Sequence, residues 1–210
     1  MESDPSADRL NELLADAGLL VLQLSQYKQL KDYLSLIIRW NARTNLTSVR
    51  DPEAIVSRHF VESIACGQAL PAGILTLLDF GSGAGFPGVP ISVCRPDLAV
   101  TLAESQGKKA AFLQEAVRVT GVTAKVHAAR AETLTTQFDC VILRAVDHMD
   151  QAVEAATYLI SPNGWLALLT TQPDLPDFQI AAGPALLWSD PLPLPGSDKR
   201  ILALARKPSA

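Results

Sequence analysis

The segment with the most chemistry in this chain is Asp79-Phe80-Gly81-Ser82-Gly83-Ala84-Gly85-Phe86-Pro87-Gly88. It follows the apolar run Ile74–Leu78 and precedes Val89–Cys94, so its glycines fall at a strand-to-helix turn. Glycines there let the backbone come close to a ligand and take turn dihedrals that side chains forbid. Two registers compete. Gly83-x-Gly85-x-x-Gly88 fits a dinucleotide fingerprint with pyrophosphate on the helix N-terminus, whereas Gly81-x-Gly83-x-Gly85 behind Asp79 fits a nucleoside without phosphate. Asp79 separates them: its carboxylate would repel pyrophosphate, but it suits the ammonium of an amino-acid moiety, directly or through water. Pro87 also removes a backbone donor that a pyrophosphate would use.

Glu104 ends the next strand-like run, where an acid can accept both ribose hydroxyls. Ala131-Glu132 follows a third run and is placed to hold an adenine edge by backbone N–H and side chain. Arg144 emerges from Cys140-Val141-Ile142-Leu143 beside the point where such sheets bind ligands, as a ligand contact or a structural ion pair. Together these residues describe a pocket for adenosine plus an amino acid, and S-adenosylmethionine fits that description.

The elements that must position them can be read from pattern. The chain has 210 residues, a formal net charge of -4 and a mean hydropathy of +0.17, with 12 Gly and 14 Pro. That is ordinary globular usage and excludes disordered, fibrous and uniformly basic classes. Cys66, Cys94 and Cys140 stand apart without metal-ligand spacing, so they read as small buried thiols, with no metal expected. The start Met1-Glu2-Ser3-Asp4-Pro5 lacks a basic then apolar leader, and no apolar run approaches a membrane span. A cytoplasmic protein, monomeric, is expected.

Leu10, Leu13, Leu14 and Ala17 recur at helical spacing before Gly18. A second helix, with Ser25 as its expected cap, carries the stripe Leu30, Tyr33, Leu34, Ile37 and Ile38 toward Trp40, which reads as core. Asp51-Pro52-Glu53 starts a third, expected to stop at Gly67. Residues 1–70 are thus predicted to form a helical cap, and 71–210 a second unit. There Ile74–Leu78, Ala99–Ala103, Lys125–Ala128, Cys140–Leu143 and Trp165–Thr170 read as strands. Between them Val89–Cys94, Lys108–Thr120 and Met149–Ile160 read as helices, the last ending before Pro162-Asn163-Gly164. Such alternation predicts an α/β fold with a mostly parallel, Rossmann-like sheet covered on both faces. Eight of the prolines fall in residues 162–210, where Ala185–Trp188 and Ile201–Ala205 read as a closing antiparallel hairpin.

The sequence resembles the RsmG family (GidB, glucose-inhibited division protein B), the bacterial 16S rRNA guanine-N7 methyltransferases. The likeness runs from about Leu30 to Lys207. It is carried by Trp40-Asn41 with Asn45-Leu46-Thr47, Arg58-His59 with Glu62-Ser63, Asp79 to Pro90, and Thr101 to Ser105 with Lys108-Lys109 and Phe112-Leu113. Arg130-Ala131-Glu132, Asp139 to Ala145 and Arg200 complete it. The resemblance implies a class I S-adenosylmethionine-dependent methyltransferase with a seven-stranded sheet, cofactor contacts at Gly81, Phe86, Ala131, Glu132 and Arg144, and a guanine of the 530 loop as acceptor. Two departures stand out. Glu62 replaces an expected Asp, and Leu168-Leu169-Thr170-Thr171 lacks an expected Lys-Gly after the fifth strand, removing a cation near the acceptor.

Guanine N7 has an in-plane lone pair and no proton to lose, so methyl transfer to it needs positioning rather than a general base. Arg144 and Asn45 are the candidates for that positioning. Residues 26–60 hold six basic residues against three acidic ones. Arg39, Arg43, Arg50 and Arg58, extended by Lys108, Lys109 and Arg200, form the expected RNA face. So small a patch predicts a partner that adds shape to phosphate, an assembled small-subunit particle. His59 reads as a packed imidazole. Competing readings are a nicotinamide-dependent dehydrogenase, disfavoured by Asp79 and Pro87; a methyltransferase of a small molecule or protein; and a non-catalytic rRNA-binding module that keeps the cofactor pocket.

Overall fold

A computed structural model describes residues 5–209; Met1, Glu2, Ser3 and Asp4, on which the leader-free reading rests, lie outside them. Two helices open the chain, α1 (Pro5–Asp16) and α2 (Leu24–Asn41). A third rod then runs without a break through α3 (Pro52–Ala54), a π-helical turn (Ile55–Phe60) and α4 (Val61–Ala69). Asp51 starts it, its carboxylate accepting from Ala54 N at 2.8 Å. Its end corrects the expectation: it passes Gly67 and stops at Leu70 before Pro71. Gly67 serves packing, because a Cβ there would lie 2.7 Å from Cys94 Sγ. Likewise α2 is capped by Gln23 rather than Ser25, with Gln23 N donating to Gln26 Oε1 at 2.9 Å. Its buried stripe takes Leu36 and leaves Ile38 42% exposed.

The remaining elements alternate. They are β1 (Thr76–Phe80), α5 (Gly88–Cys94), β2 (Ala99–Ala103), α6 (Gly107–Thr120), β3 (Ala124–His127), a 3-10 turn (Ala131–Thr133), β4 (Phe138–Arg144), α7 (Met149–Tyr158), β5 (Ile160–Thr171), α8 (Leu175–Ala182), β6 (Leu187–Trp188), β7 (Leu192–Pro193) and β8 (Arg200–Arg206). The sheet order is β3-β2-β1-β4-β5-β8-β6, with β7 also on β8. The first five strands are parallel and β8 is antiparallel. Eight strands stand where the resemblance implies seven, because β6 and β7 pair with successive parts of β8 and are separated by Ser189-Asp190-Pro191. β1 begins two residues later than its apolar run, since Leu75 N and Thr76 N donate to the Asp139 carboxylate instead of a strand. The Pro162-Asn163-Gly164 turn is absorbed into β5, with Asn163 at φ +63° and a register shift against β4.

Side chains alternate across the sheet as a pleat demands. Leu77, Leu102, Cys140, Ile142 and Ala167 enter one apolar cluster with the N-terminal helices, α5 and α6. Leu78, Phe80, Val141, Leu143 and Leu168 enter the other, with α7 and α8. Among the described residues no helix is long and apolar enough to cross a membrane.

Candidate functional site

In doubly wound sheets ligands bind beyond the strand C-termini where the chain order reverses, which here lies between β1 and β4. A cavity of about 800 Å³ opens there. Its wall includes Gly81, Gly83, Phe86, Glu104, Lys109, Ala131, Glu132, Arg144 and Arg200, together with Arg58, His59 and Glu62 of the N-terminal rod.

The glycine loop is held from beneath. Gly81, Gly83 and Gly85 all have positive φ, at 72°, 57° and 88°. Gly88 N donates to Asp79 Oδ2 at 3.0 Å, and the buried Tyr33 hydroxyl donates to the Ala84 carbonyl. Tyr33 stands between Phe60, Phe86 and Phe112, its ring stacked on Phe60 at 5.8 Å. Sequence reasoning placed Tyr33 in an apolar stripe and missed its hydroxyl; a Tyr in an otherwise aliphatic stripe was the available signal. On the cavity side Glu104 Oε2 accepts from Gly83 N at 3.0 Å and Oε1 from Gln106 N at 2.7 Å. A Cβ on Gly83 would meet no protein atom nearer than 3.8 Å. Protein packing therefore leaves that position open.

Two of the expected contacts lie outside the cavity wall. Asp79 is 1% exposed and lies behind the loop, outside the cavity wall, where its Oδ2 accepts from Gly88 N. Burial pushes that carboxyl up to about 7. Asn45 faces outward and accepts from Arg50 Nη2 at 3.2 Å, also outside the wall. The loop around it is fixed by its neighbour Asn41, whose Oδ1 accepts from Leu46 N and Thr47 N.

At the other end of the cavity the chain gathers a charge cluster. Glu62, 1% exposed, lies 2.8 Å from Arg144 Nη2 and 2.5 Å from Arg200 Nε. Arg144 Nη2 also donates to His59 Nδ1 at 2.7 Å. Burial pushes the Glu62 carboxyl up while both guanidiniums oppose it, and burial lowers Arg144. Burial, then the charges of Arg144, Arg58 and Arg200, push His59 down to about 3, so its ring is neutral near pH 7. Phe86 lies under this cluster, 4.9 Å from the His59 ring and 5.9 Å from Arg144 Cζ. The signal for Glu62 was in the sequence as a lone acid in an apolar helical run, but its two partners lie 82 and 138 residues away.

The other basic candidates divide. Arg58, Lys109 and Arg200 line the cavity; Arg43, Arg50 and Lys108 are exposed outside it, and Arg39 is paired with Glu115 at 3.4 Å. Glu132 pairs with Arg130 at 2.8 Å on the rim. Thr170 and Thr171 are in the wall; Thr171 Oγ1 donates to Asp174 at 2.6 Å, and Thr171 registers against Arg200. Among the described residues no three His, Cys, Asp or Glu side chains gather as metal ligands.

Residues 26–179 match the family model described as rRNA small subunit methyltransferase G. The chain is 40% identical over 183 residues to the ribosomal RNA small subunit methyltransferase G of Xanthomonas euvesicatoria pv. vesicatoria, covering 83% of this chain and 84% of that one. It is 39% identical over 168 residues to the protein of the same name from Stenotrophomonas maltophilia, covering 78% of each. In fold it is similar to a methyltransferase of Pyrococcus furiosus, with TM-score 0.60 at 12% identity over 85% of this chain and 98% of that one. The fold is thus that of the class I methyltransferases. With the matched span running through the glycine loop, Glu62 and Arg144, the chain belongs to the small-subunit rRNA methyltransferase G family.

Proposed function

We propose that this methyltransferase moves a methyl group from S-adenosylmethionine to N7 of a guanine in the 530 loop of 16S rRNA. The observation that carries the reading is one cavity with the glycine loop and Glu104 at one end and the Arg144–Glu62–Arg200 cluster at the other. The residues fit the cofactor. Open space above Gly83 admits a ligand against the backbone, and each Glu104 oxygen, though bonded to an amide, keeps a lone pair for a ribose hydroxyl. Gly81, Phe86, Ala131, Glu132 and Arg144 would complete the hold, with Asp79 shaping the loop from behind.

When bound, S-adenosylmethionine supplies a sulfonium methyl as electrophile. The protein's part is to bring the base edge in line with it and exclude water. Neither step asks a side chain for proton transfer, since N7 attacks with a free lone pair. Arg58, Lys109 and Arg200 would meet backbone phosphate at the cavity, and Arg39, Arg43, Arg50 and Lys108 would extend that face. We place residues 1–70 as the RNA-facing cap and 71–210 as the cofactor-binding unit of a cytoplasmic monomer.

The test is to incubate the protein with labelled S-adenosylmethionine and unmethylated small ribosomal subunits, then map the label by nucleoside mass spectrometry. Label recovered as 7-methylguanosine at one 530-loop site is the expected result. Tight cofactor binding without RNA label would overturn the acceptor and leave the pocket.

A further inference from the structure

His59 packs against Phe86 and also lies in the cavity wall. Its Nδ1 lies 2.7 Å from Arg144 Nη2, and a guanidinium can only donate, so Nδ1 holds a lone pair. The ring is neutral, which puts its single hydrogen on Nε2. The partner there is Thr47 Oγ1 at 3.5 Å, beyond the usual N–H···O range. An underused donor therefore stands in the cavity wall, on a ring pinned by Phe86 and Arg144.

Its placement is specific to the backbone. His59 belongs to the π-helical turn Ile55–Phe60, and such turns re-aim side chains within a helix. Glu62, one turn on, holds the guanidinium that fixes the tautomer.

Resting on the acceptor reading above, we propose that His59 reads the acceptor base, its Nε2–H donating to O6 of the guanine whose N7 is methylated. The chemistry favours a single neutral donor. An arginine fork would bridge O6 and N7 together and occupy the lone pair that must attack. One N–H can mark O6 and leave N7 free. Adenine presents an amino donor at that position and would leave two donors facing each other.

The test combines a side-chain change with a base change. Small subunits reconstituted with ligated 16S rRNA carry either guanine or 2-aminopurine, which keeps N7 and lacks O6, at the mapped site. Wild type should prefer guanine strongly. His59→Ala should lower kcat/KM on guanine by about tenfold or more, barely change it on 2-aminopurine, and leave the cofactor Kd within about twofold. Counting only the His59-dependent part of the preference cancels the N1–H that 2-aminopurine also lacks. His59→Gln, whose amide nitrogen falls near the Nε2 position, should recover part of the preference. An unchanged preference in His59→Ala would overturn the proposal, as would a loss matched by equal loss of cofactor affinity, which would reduce His59 to a prop for Arg144. Wild type that labels no guanine overturns the acceptor reading and this assignment with it.

Discussion

Gly83 and Gly85 stand two residues apart in one loop and are glycine for different reasons. At Gly85 a Cβ would lie 2.6 Å from the Tyr33 hydroxyl and 2.9 Å from Val89 Cγ2, on a backbone at φ +88°. Gly85→Ala combines left-handed strain with overpacking, and unfolding in urea should show a loss of about 2–4 kcal/mol. At Gly83 the same substitution meets open space at φ +57° and should cost about 1 kcal/mol. Yet its methyl would stand where the proposed cofactor approaches, so S-adenosylmethionine affinity should fall by about tenfold or more at nearly normal stability. Equal damage to both properties in both variants would remove the distinction between a glycine kept for the fold and one kept for the ligand. Glu62 shows the same division in charge. A carboxylate 1% exposed is tolerable only because two guanidiniums flank it, and their own buried charges depend on it in return.

At the scale of elements, the rod from Pro52 to Ala69 matters most to the site, since Arg58, His59 and Glu62 ride on it. Its N-terminus rests on the Asp51 cap, which is exposed and not part of the cavity wall. Asp51→Ala should therefore lower stability by about 1 kcal/mol, seen as a drop in Tm, with turnover per folded molecule unchanged. A large loss of turnover at full folding would mean that the cap also sets the π-helical turn. Elements of this kind were partly legible in sequence. The Asp-Pro-Glu start, the glycine loop between strand and helix, and the β-α alternation are local signals, and they found their elements within a few residues. What residue pattern did not show were particular side-chain contacts. Gly67 reads as a stop but is a contact for Cys94, and Ser25 reads as a cap although the chain enters α2 through Gln23. Asp79 reads as a ligand contact, and the pattern does not show that its carboxylate is buried behind the loop with Oδ2 on Gly88 N. Periodicity marked Tyr33 as buried but could not supply the carbonyl its hydroxyl meets 51 residues on.

Over the whole molecule the helices and the sheet share one interior. Leu14, Leu30, Tyr33, Ile37 and Ile64 lie in the same apolar cluster as Leu77, Val89, Leu102 and Phe112. Moving the rod would therefore disturb the packing under the glycine loop, which couples the proposed RNA-facing part to the cofactor end. The charge balance limits how this body can hold RNA. Net charge is -4, and of the seven bases proposed for the RNA face Arg39 and Arg200 are ion-paired and Lys109 is half-buried, which leaves Arg43, Arg50, Arg58 and Lys108 against a polyanion. With about four phosphate contacts on a single strand, log affinity should fall with log salt at a slope near -3, too shallow a reserve for tight binding to a short RNA at physiological ionic strength. On the proposed function, an assembled subunit would supply what charge does not, a surface that orients the acceptor loop toward the cavity. Methylation of subunits should exceed that of a free 530-loop RNA by about a hundredfold in kcat/KM at 0.15 M salt, and the gap should narrow as salt is lowered. Equal rates on the two substrates would place all of the recognition in the loop itself and make the particle unnecessary.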